Sequence, residues 1–358
     1  MSALDAALAT IPADAHPKHY GHAWGLMHGY DAVYRNQTLR PVAVETEFKV
    51  PIYNLQGKRV SQSKTLELAG VLDVLAVEDG KQWVLDHKTS SDDLGPESPY
   101  WQQLVVEGQA SLYPLACHLQ GIEVAGAVWD VLRKPGIKPK AIPEKERAGI
   151  SVLPHHYHGF VCSRASVDYA VNGGKGVQEN AELFGYRCAR ECLNKPDRYF
   201  AQRKVFKLES DLTEFAGELW DVSQDITQVR RTGRHYRNSG ACKLYGRACE
   251  YLGICSGFDK PDSAKWQQRE SVHPELRGCG NGRDVLTHTR MRCFQTCRRK
   301  HYYRYELGIE RVQEETPEAL YFGTMIHRAL EAWWKTFLPQ GENNGDSDQA
   351  AGSGPENV

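Results

Sequence analysis

The segment from residue 70 to residue 90, GVLDVLAVEDGKQWVLDHKTS, constrains the fold more than any other part of the chain. Apolar runs on both sides of a Glu-Asp-Gly turn predict a β-hairpin whose strands are largely buried. Asp73 lies in the first strand, and Asp86, His87 and Lys88 end the second. A polar triplet is costly to bury at the end of such a strand unless it has a function. Two carboxylates and a lysine in this arrangement suit a hard divalent cation and an activated water, which is the chemistry of phosphodiester hydrolysis.

The hairpin resembles the PD-(D/E)XK nuclease superfamily, and within it the chain is similar to the RecB-like exonucleases, some of which carry an iron–sulfur cluster. This resemblance implies an α/β fold with a restriction-endonuclease-like core, in which helices flank a small mixed β-sheet, plus a helical region clipped by cysteines. It also implies that Asp73 and Asp86 bind Mg²⁺ or Mn²⁺ and that the backbone carbonyl of His87 is a further ligand. Lys88 would orient or deprotonate the attacking water.

Residues on either side of the hairpin match further positions of the family. Residues 100–119 predict one amphipathic helix, kinked at Pro114 or in tertiary contact there, in which Gln109 and Tyr113 share a face. This pair resembles the Q-x-x-x-Y motif, which contacts DNA beside the metal site. Residues 42–52 predict a half-buried strand, where Glu45 matches an acid that supports the active site.

Ten cysteines occur in the 358 residues. Because the chain shows neither a secretory signal nor an apolar stretch long enough to span a bilayer, we expect a cytoplasmic protein with reduced thiols that favour metal over disulfides. The resemblance implies that Cys297 joins Cys242, Cys249 and Cys255 around a [4Fe–4S] cluster, with Cys293 as the substitute candidate. A Zn²⁺ site with four thiolates and a set of unrelated buried cysteines are the alternatives.

The motifs occur in an unusual order. In the family, a cysteine-bearing helix and a helix with a G-T-x-x-H motif precede the catalytic strands, whereas here both lie in residues 286–334. The G-T-x-x-H match ends at His327, which the resemblance places near the metal as a ligand. A circular permutation of one domain explains this order, and so does a truncated tandem. The permuted domain predicts that residues 286–334 pack against residues 4–120 and bring His327 close to Asp73.

This interpretation divides the chain into four regions. Residues 1–258 carry the catalytic strands, the Q-x-x-x-Y helix and three of the cysteines; residues 259–285 form a linker; residues 286–338 complete the same domain; and residues 339–358 form a disordered polar tail. Further elements are two helices in residues 4–34, a strand at 126–132, a loop at 134–158, and helices at 179–200 and 208–231.

The net charge of −1 provides no global basic field, although local patches can still bind nucleic acid. Arg298, Arg299 and Lys300 form one such patch, and the tyrosines that follow them suit stacking with single-stranded bases. We therefore expect these three residues to bind DNA.

The expected function is that of a metal-dependent DNA nuclease, an exonuclease on single-stranded or end-opened DNA in recombination or repair. A phage or prophage origin and a helicase or recombinase partner rest on the resemblance alone. One alternative is an inactive DNA-binding or assembly module with the nuclease fold, and another is a zinc-stabilised structural protein. The sequence lacks a P-loop of the G-x-x-x-x-G-K-[ST] type, which argues against a built-in ATP motor.

Overall fold

The fold is taken from a computed structural model, which describes residues 1–55, 60–244, 246–273, 276, 284–312 and 318–339. The predicted disordered tail, from residue 340 onward, and most of residues 274–283 of the predicted linker lie outside these residues. No helix among the described residues is long and apolar enough to cross a membrane.

The elements alternate between strands and helices along the chain. The strands are β1 (Arg40–Asn54), β2 (Ser61–Glu78), β3 (Lys81–Ser90), β4 (Gly126–Arg133), β5 (His156–Tyr157), β6 (Phe160–Val161), β7 (Phe200–Phe206), β8 (Lys243–Leu244), β9 (Arg247–Ala248), β10 (Trp266–Gln268), β11 (Asp284–Leu286) and β12 (Ile309–Arg311). The helices are α1 (Ala3–Leu8), α2 (Pro17–Tyr34), α3 (Pro99–Val106), α4 (Gln109–Leu119), α5 (Glu144–Ser151), α6 (Arg164–Asn172), α7 (Ala181–Asn194), α8 (Pro196–Tyr199), α9 (Glu209–Thr232), α10 (Leu252–Ser256), α11 (His288–Thr296), α12 (Arg298–His301) and α13 (Glu318–Lys335).

A mixed six-stranded sheet forms the centre of the protein, in the order β1-β2-β3-β4-β7, with β11 also pairing with β2. The β3–β4 and β11–β2 pairs are parallel, and the other pairs are antiparallel. A parallel pair needs a crossover connection between its strands. Here that crossover contains α3 and α4, so the chain carries the predicted Q-x-x-x-Y residues back over the sheet towards the end of β3.

Each face of the sheet is covered by its own set of helices. Leu85 and Val74 pack with α2 and α13 in one apolar cluster, whereas Val84 and Leu75 pack with α4, α9 and α11 in another. This division follows from the strand period of two, which sends successive side chains to opposite faces. Asp86 and Lys88 therefore share the face of Val84, and His87 shares the face of Leu85.

The predicted helix over residues 100–119 is two helices in the structure, which corrects the sequence prediction. The break lies at Glu107 and Gly108, and Pro114 is inside α4 without ending it. A Cβ atom at Gly108 would lie 3.3 Å from His288 Nε2, so this glycine allows a close approach between α4 and α11. The prediction was wrong because the backbone is extended at Glu107 (ψ 126°), which ends α3 immediately before Gly108.

Two predicted irregular regions also contain regular structure. The predicted loop at 134–158 includes α5 and β5, and the predicted linker at 259–285 includes β10, which pairs antiparallel with β12. The two helices predicted in residues 4–34 are confirmed as α1 and α2, and those at 179–200 and 208–231 correspond to α7 and α9.

Helix α13 packs against the N-terminal helices and the sheet of the same chain. Trp333 Nε1 donates to Asp31 Oδ1 at 2.9 Å, and Trp334 Nε1 donates to the hydroxyl of Tyr30 at 3.0 Å. These buried contacts join residues 286–334 to the first helices of the chain. The division into domains and the origin of the motif order stay predictions.

Candidate active site

The hairpin register brings the two predicted catalytic acids together. Val74 pairs with Leu85, so Asp73 and Asp86 are neighbours across β2 and β3. The backbone N–H of His87 donates to Asp73 Oδ2 at 2.8 Å, and Lys88 Nζ lies 2.6 Å from Asp86 Oδ2. The sequence-predicted triplet therefore forms one compact group of two carboxylates and an ammonium.

Asp86 is 3% exposed, and its environment controls its charge. Burial raises the pKa of Asp86 to about 6, the ammonium of Lys88 opposes this rise, and the neighbouring charge of Asp73 adds to it. A divalent cation between the two acids would relieve both the desolvation and the repulsion. A bound cation would therefore stabilise the two ionised acids at the place where the sequence predicts a metal.

The Q-x-x-x-Y residues lie directly beside the triplet. Lys88 Nζ donates to Gln109 Oε1 at 2.7 Å, and Gln109 Nε2 donates to the hydroxyl of Tyr113 at 3.0 Å. Burial raises the pKa of Tyr113 well above its usual range, so its hydroxyl stays neutral. This chain of hydrogen bonds connects α4 to Lys88 in β3. The role of Gln109 and Tyr113 in DNA binding stays a prediction.

Glu45 occupies an unusual backbone conformation next to the same acids. It lies in β1 between the pairs Val44–Val74 and Thr46–Leu72, and its φ of +51° is in the left-handed region. Burial, helped by the charges of Asp73 and Glu331, raises the pKa of Glu45 to about 7. Backbone strain and a displaced pKa are features that concentrate at functional sites.

His327 reaches the site from α13. Its Nδ1 atom lies 3.9 Å from Asp73 Oδ2, and its ring centroid lies 6.1 Å from that of His87. A cleft with about 2040 Å³ of empty space opens in front of Asp73 and His327. Its polar and charged lining residues are Glu45, Asp73, Thr89, Gln109, Tyr113, Thr287, His288, Thr289, Thr324, His327, Arg328 and Glu331.

The side chain of His87 turns away from this cleft into a buried polar network. His87 Nδ1 lies 2.7 Å from Asp130 Oδ2, which also accepts a hydrogen bond of 2.7 Å from the hydroxyl of Tyr30. Burial lowers the pKa of His87. The hydrogen bond to Asp130 and the negative charges of Asp130, Asp73 and Asp86 outweigh burial, so the pKa of His87 is raised overall. The sequence prediction did not include Asp130, although a charged residue in the apolar segment GAVWDVL was a visible signal.

No three His, Cys, Asp or Glu side chains of the described residues are close enough together to hold a metal ion as they stand. Mg²⁺ is commonly bound by one or two carboxylates and completes its shell with water and substrate oxygens. Asp73 and Asp86, with the carbonyl of His87, supply the hard oxygen donors that such a shell needs. The donor set therefore fits Mg²⁺ or Mn²⁺ without a preassembled group of three side chains.

The four predicted cluster cysteines line one cavity, together with Arg237, Asn238 and Lys300. The residues are Cys242, Cys249, Cys255 and Cys297. Cys293 is buried nearby and is not among the lining residues. The backbone N–H of Asn238 donates to Cys297 Sγ at 3.5 Å. No described cysteine forms a disulfide. Thiolates are the donors that an iron–sulfur cluster or Zn²⁺ requires, but no three of these cysteines are close enough together as they stand to hold a metal ion.

The three predicted DNA-binding cations have different surroundings. The guanidinium of Arg298 lies over the rings of Tyr236 and Phe294, and it pairs with Asp225. Arg299 Nε donates to the carbonyl of His235 at 2.6 Å. Lys300 Nζ lies 3.2 Å from Glu250 Oε1. All three residues therefore contact other parts of the protein, and their role in DNA binding stays a prediction.

Comparison with known proteins adds one finding. The family model of the PD-(D/E)XK nuclease superfamily matches residues 11–256 and 285–353. No curated protein and no solved structure matches the chain. The matched residues include both segments that carry the predicted motifs.

Proposed function

The chain belongs to the PD-(D/E)XK nuclease superfamily, whose members are nucleases, and we propose that it is a metal-dependent deoxyribonuclease that acts as an exonuclease on single-stranded or end-opened DNA. Its mixed sheet with flanking helices is consistent with the restriction-endonuclease-like fold of that superfamily. The observation that carries the proposal is the group formed by Asp73, Asp86 and Lys88, of which Asp73 lines a large cleft.

Asp73 and Asp86 would hold Mg²⁺ or Mn²⁺, with the carbonyl of His87 and the imidazole of His327 as further ligands. When bound, the cation would lower the pKa of a coordinated water and stabilise the charge that develops on the phosphate. The chain's own contribution is to hold these donors on two paired strands, where the N–H of His87 fixes the orientation of the Asp73 carboxylate.

Lys88 would orient or deprotonate the attacking water. Its Nζ donates to Gln109 Oε1 at 2.7 Å and lies 2.6 Å from Asp86 Oδ2. Because an ammonium has three donors, a water or the substrate can still bind it. Because two partners fix the ammonium, it is preorganised for that contact.

Cys242, Cys249, Cys255 and Cys297 would hold a [4Fe–4S] cluster, which would tie the segment after α9 to the start of α12. Their position around one cavity supports this assignment, and Zn²⁺ is the alternative that the same thiolates allow. Reduced thiols fit a cytoplasmic location. A role in recombination or repair, a phage origin and a helicase or recombinase partner rest on the resemblance to RecB-like exonucleases.

A second candidate function is a DNA-binding or assembly module that has lost activity. The presence of both acids and the lysine, in hydrogen-bonding geometry, argues against that alternative.

A cleavage assay on end-labelled single- and double-stranded DNA tests the proposal, with Mg²⁺, Mn²⁺ or EDTA and anaerobically purified protein. We expect metal-dependent cleavage that Lys88→Ala reduces at least roughly 100-fold, because a positioned proton-transfer group contributes about that much. Lys195→Ala is the matched control, since Lys195 is half-exposed and pairs with Glu191 on α7. Folded, metal-supplied wild-type protein that leaves every substrate intact would favour the inactive DNA-binding module.

A further inference from the structure

A second groove continues from the active-site cleft along residues 289–304. It has about 590 Å³ of empty space and is lined by Thr289, Arg292, Cys293, Thr296, Lys300 and Arg304. Thr289 also lines the active-site cleft, and Lys300 also lines the cysteine cavity. The groove therefore runs from the proposed catalytic site towards the proposed cluster, and we call its polar residues Thr289, Arg292, Thr296, Lys300 and Arg304 the basic track.

The basic track lies on two helical segments that meet at Cys297, where the backbone is extended (φ −163°, ψ 115°). Thr289, Arg292 and Thr296 recur every three or four positions in α11, and Lys300 and Arg304 are four positions apart in α12 and the π-helical turn Tyr302–Glu306, so each set shares one helix face. Arg290, Met291 and Phe294 of α11 are buried on its opposite face. From Thr289 to Thr296 the rise of 1.5 Å per residue makes the α11 part of the track roughly 10 Å long.

The cations of the basic track are held by carboxylates that only partly neutralise them. Arg292 is 61% exposed and its Nη1 atom lies 2.9 Å from Glu107 Oε1. Lys300 and Arg304 both contact the same oxygen of Glu250, at 3.2 Å and 3.5 Å. Because an arginine has five donors and a lysine three, each cation keeps donors that a phosphate could accept.

We propose that the basic track binds the phosphate backbone of a single DNA strand and directs that strand into the active-site cleft, with Glu250 as a carboxylate that competes for Lys300 and Arg304. This inference rests on the proposed function in taking DNA as the substrate. A single row of cations matches one phosphate backbone, and continuity with the cleft through Thr289 gives the strand its direction. Arg298 and Arg299 are not part of the track, since neither lines this groove.

The test is the affinity for a fluorescent single-stranded oligonucleotide as a function of salt, measured by anisotropy in EDTA to prevent cleavage. In Arg292→Ala/Arg304→Ala two phosphate contacts are lost, so the slope of log K against log salt should become shallower by about 1.4, and affinity at 0.1 M salt should fall roughly 25-fold. Glu250→Gln should instead raise affinity roughly two- to fivefold, which corresponds to the strength of an exposed ion pair.

Matched controls come from α6, where Arg164 and Asp168 form an exposed ion pair that lines neither groove nor cleft. Arg164→Ala and Asp168→Asn should leave affinity and slope unchanged. Circular dichroism checks the fold of each variant. If the double variant does not fold, Arg292→Ala alone replaces it, since Arg292 is the most exposed cation of the track. This single variant should reduce the salt slope by about 0.7.

The outcomes separate this inference from the proposed function. If both variants with Arg292→Ala keep the salt slope of the wild type, the proposed DNA binding by the basic track is wrong. Metal-dependent cleavage by the wild type would still support the proposed nuclease activity. A shallower slope without any cleavage by the wild type would keep the track and overturn the nuclease. Lower affinity in Glu250→Gln would overturn the role of Glu250 as a competitor, and a slope change seen only with duplex DNA would overturn single-strand binding.

Discussion

Lys88 Nζ donates to Gln109 Oε1 at 2.7 Å, so the lysine of the Asp-His-Lys triplet in β3 binds the first residue of α4. The contact joins β3 to α4, the second helix of the crossover connection between β3 and β4. It depends on the break at Gly108, because that break starts a new helix at Gln109 and sets the direction of its side chain. The orientation of the proposed catalytic lysine is thus determined partly by the crossover.

Gln109→Ala should reduce kcat for DNA cleavage roughly tenfold, within the range for a residue that orients a metal-site group. The alanine removes one of the two partners that hold the Lys88 ammonium, so the lysine spends less time in the productive orientation. Tyr113→Phe removes only the hydroxyl that Gln109 donates to and should have a smaller effect. Single-turnover rates at saturating DNA measure both.

Gln102→Ala provides the control, because Gln102 is exposed on α3 and belongs to the other half of the predicted helix. A Gln109→Ala variant with unchanged kcat and a raised KM would assign Gln109 to DNA binding alone. That result would argue against its role in positioning Lys88.

Glu45→Gln should change how the stability of the metal-free protein depends on pH. The pKa of Glu45 is about 7 in the folded protein, mainly because of burial, against a value near 4.5 in the unfolded chain. Between these values the folded protein binds more protons than the unfolded chain, so this residue makes stability fall as pH rises from about 4.5 to 7. The contribution is on the order of 1–2 kcal/mol after a discount for solvent screening.

Urea unfolding in EDTA at several pH values between 4.5 and 8 measures this effect as the difference between wild type and Glu45→Gln. Other titrating groups, Asp86 among them, contribute to both proteins and largely cancel in the difference. We expect the variant to gain stability relative to wild type as pH rises. A difference that is constant across this range would show that Glu45 keeps an ordinary pKa and is not coupled to Asp73.

The cysteine cavity predicts a metal content that can be measured directly. Anaerobically purified protein should be brown and contain iron and sulfide, and Cys297→Ala should lose both because it removes one of four proposed ligands. Cys162→Ala is the control, since Cys162 is buried in a separate apolar cluster with α5 and α6. Colourless protein with stoichiometric zinc would replace the cluster by a Zn²⁺ site at the same residues. Protein without either metal would leave the four cysteines as unligated thiols.

The catalytic hairpin was predictable because its information is local. The apolar runs and the Glu-Asp-Gly turn set its register, and the register alone makes Asp73 and Asp86 neighbours. The break between α3 and α4 was missed, although Gly108 was a visible local signal for it. The packing of His288 from α11 against this glycine was not visible in the sequence, because no local pattern encodes a contact between distant elements.

The partners of His87 illustrate the same limit. A histidine between Asp86 and Lys88 was expected near the metal, and its backbone does lie there. Its side chain nevertheless points to the opposite face, where Asp130 binds it and Tyr30 in turn donates to Asp130. Strand alternation predicts the opposite face, but Asp130 and Tyr30 come from a strand and a helix whose meeting is a property of the whole fold.

The packing of α13 on α1 and α2 predicts that the order of the segments along the chain can be changed. A rearranged protein would consist of residues 284–339, a flexible Gly/Ser linker and residues 1–273. Because α13 already contacts α1, the linker would close a short distance at a small entropic cost. We expect native-like circular dichroism, cooperative unfolding and metal-dependent cleavage that remains sensitive to Lys88→Ala.

Residues 1–273 alone are the control for this rearrangement. They lack α13, and with it the tryptophans that donate to Asp31 and Tyr30, as well as β11 and the buried Arg290, which binds Asp284 and Glu306. This fragment should therefore unfold at lower urea concentration than the full chain or fail to fold. A stable, active fragment would show that residues 284–339 do not complete the domain, which favours the truncated tandem. Recovery of fold and activity by the rearranged chain, without recovery by the fragment, would show that both segments form one domain irrespective of their order, as a circular permutation requires.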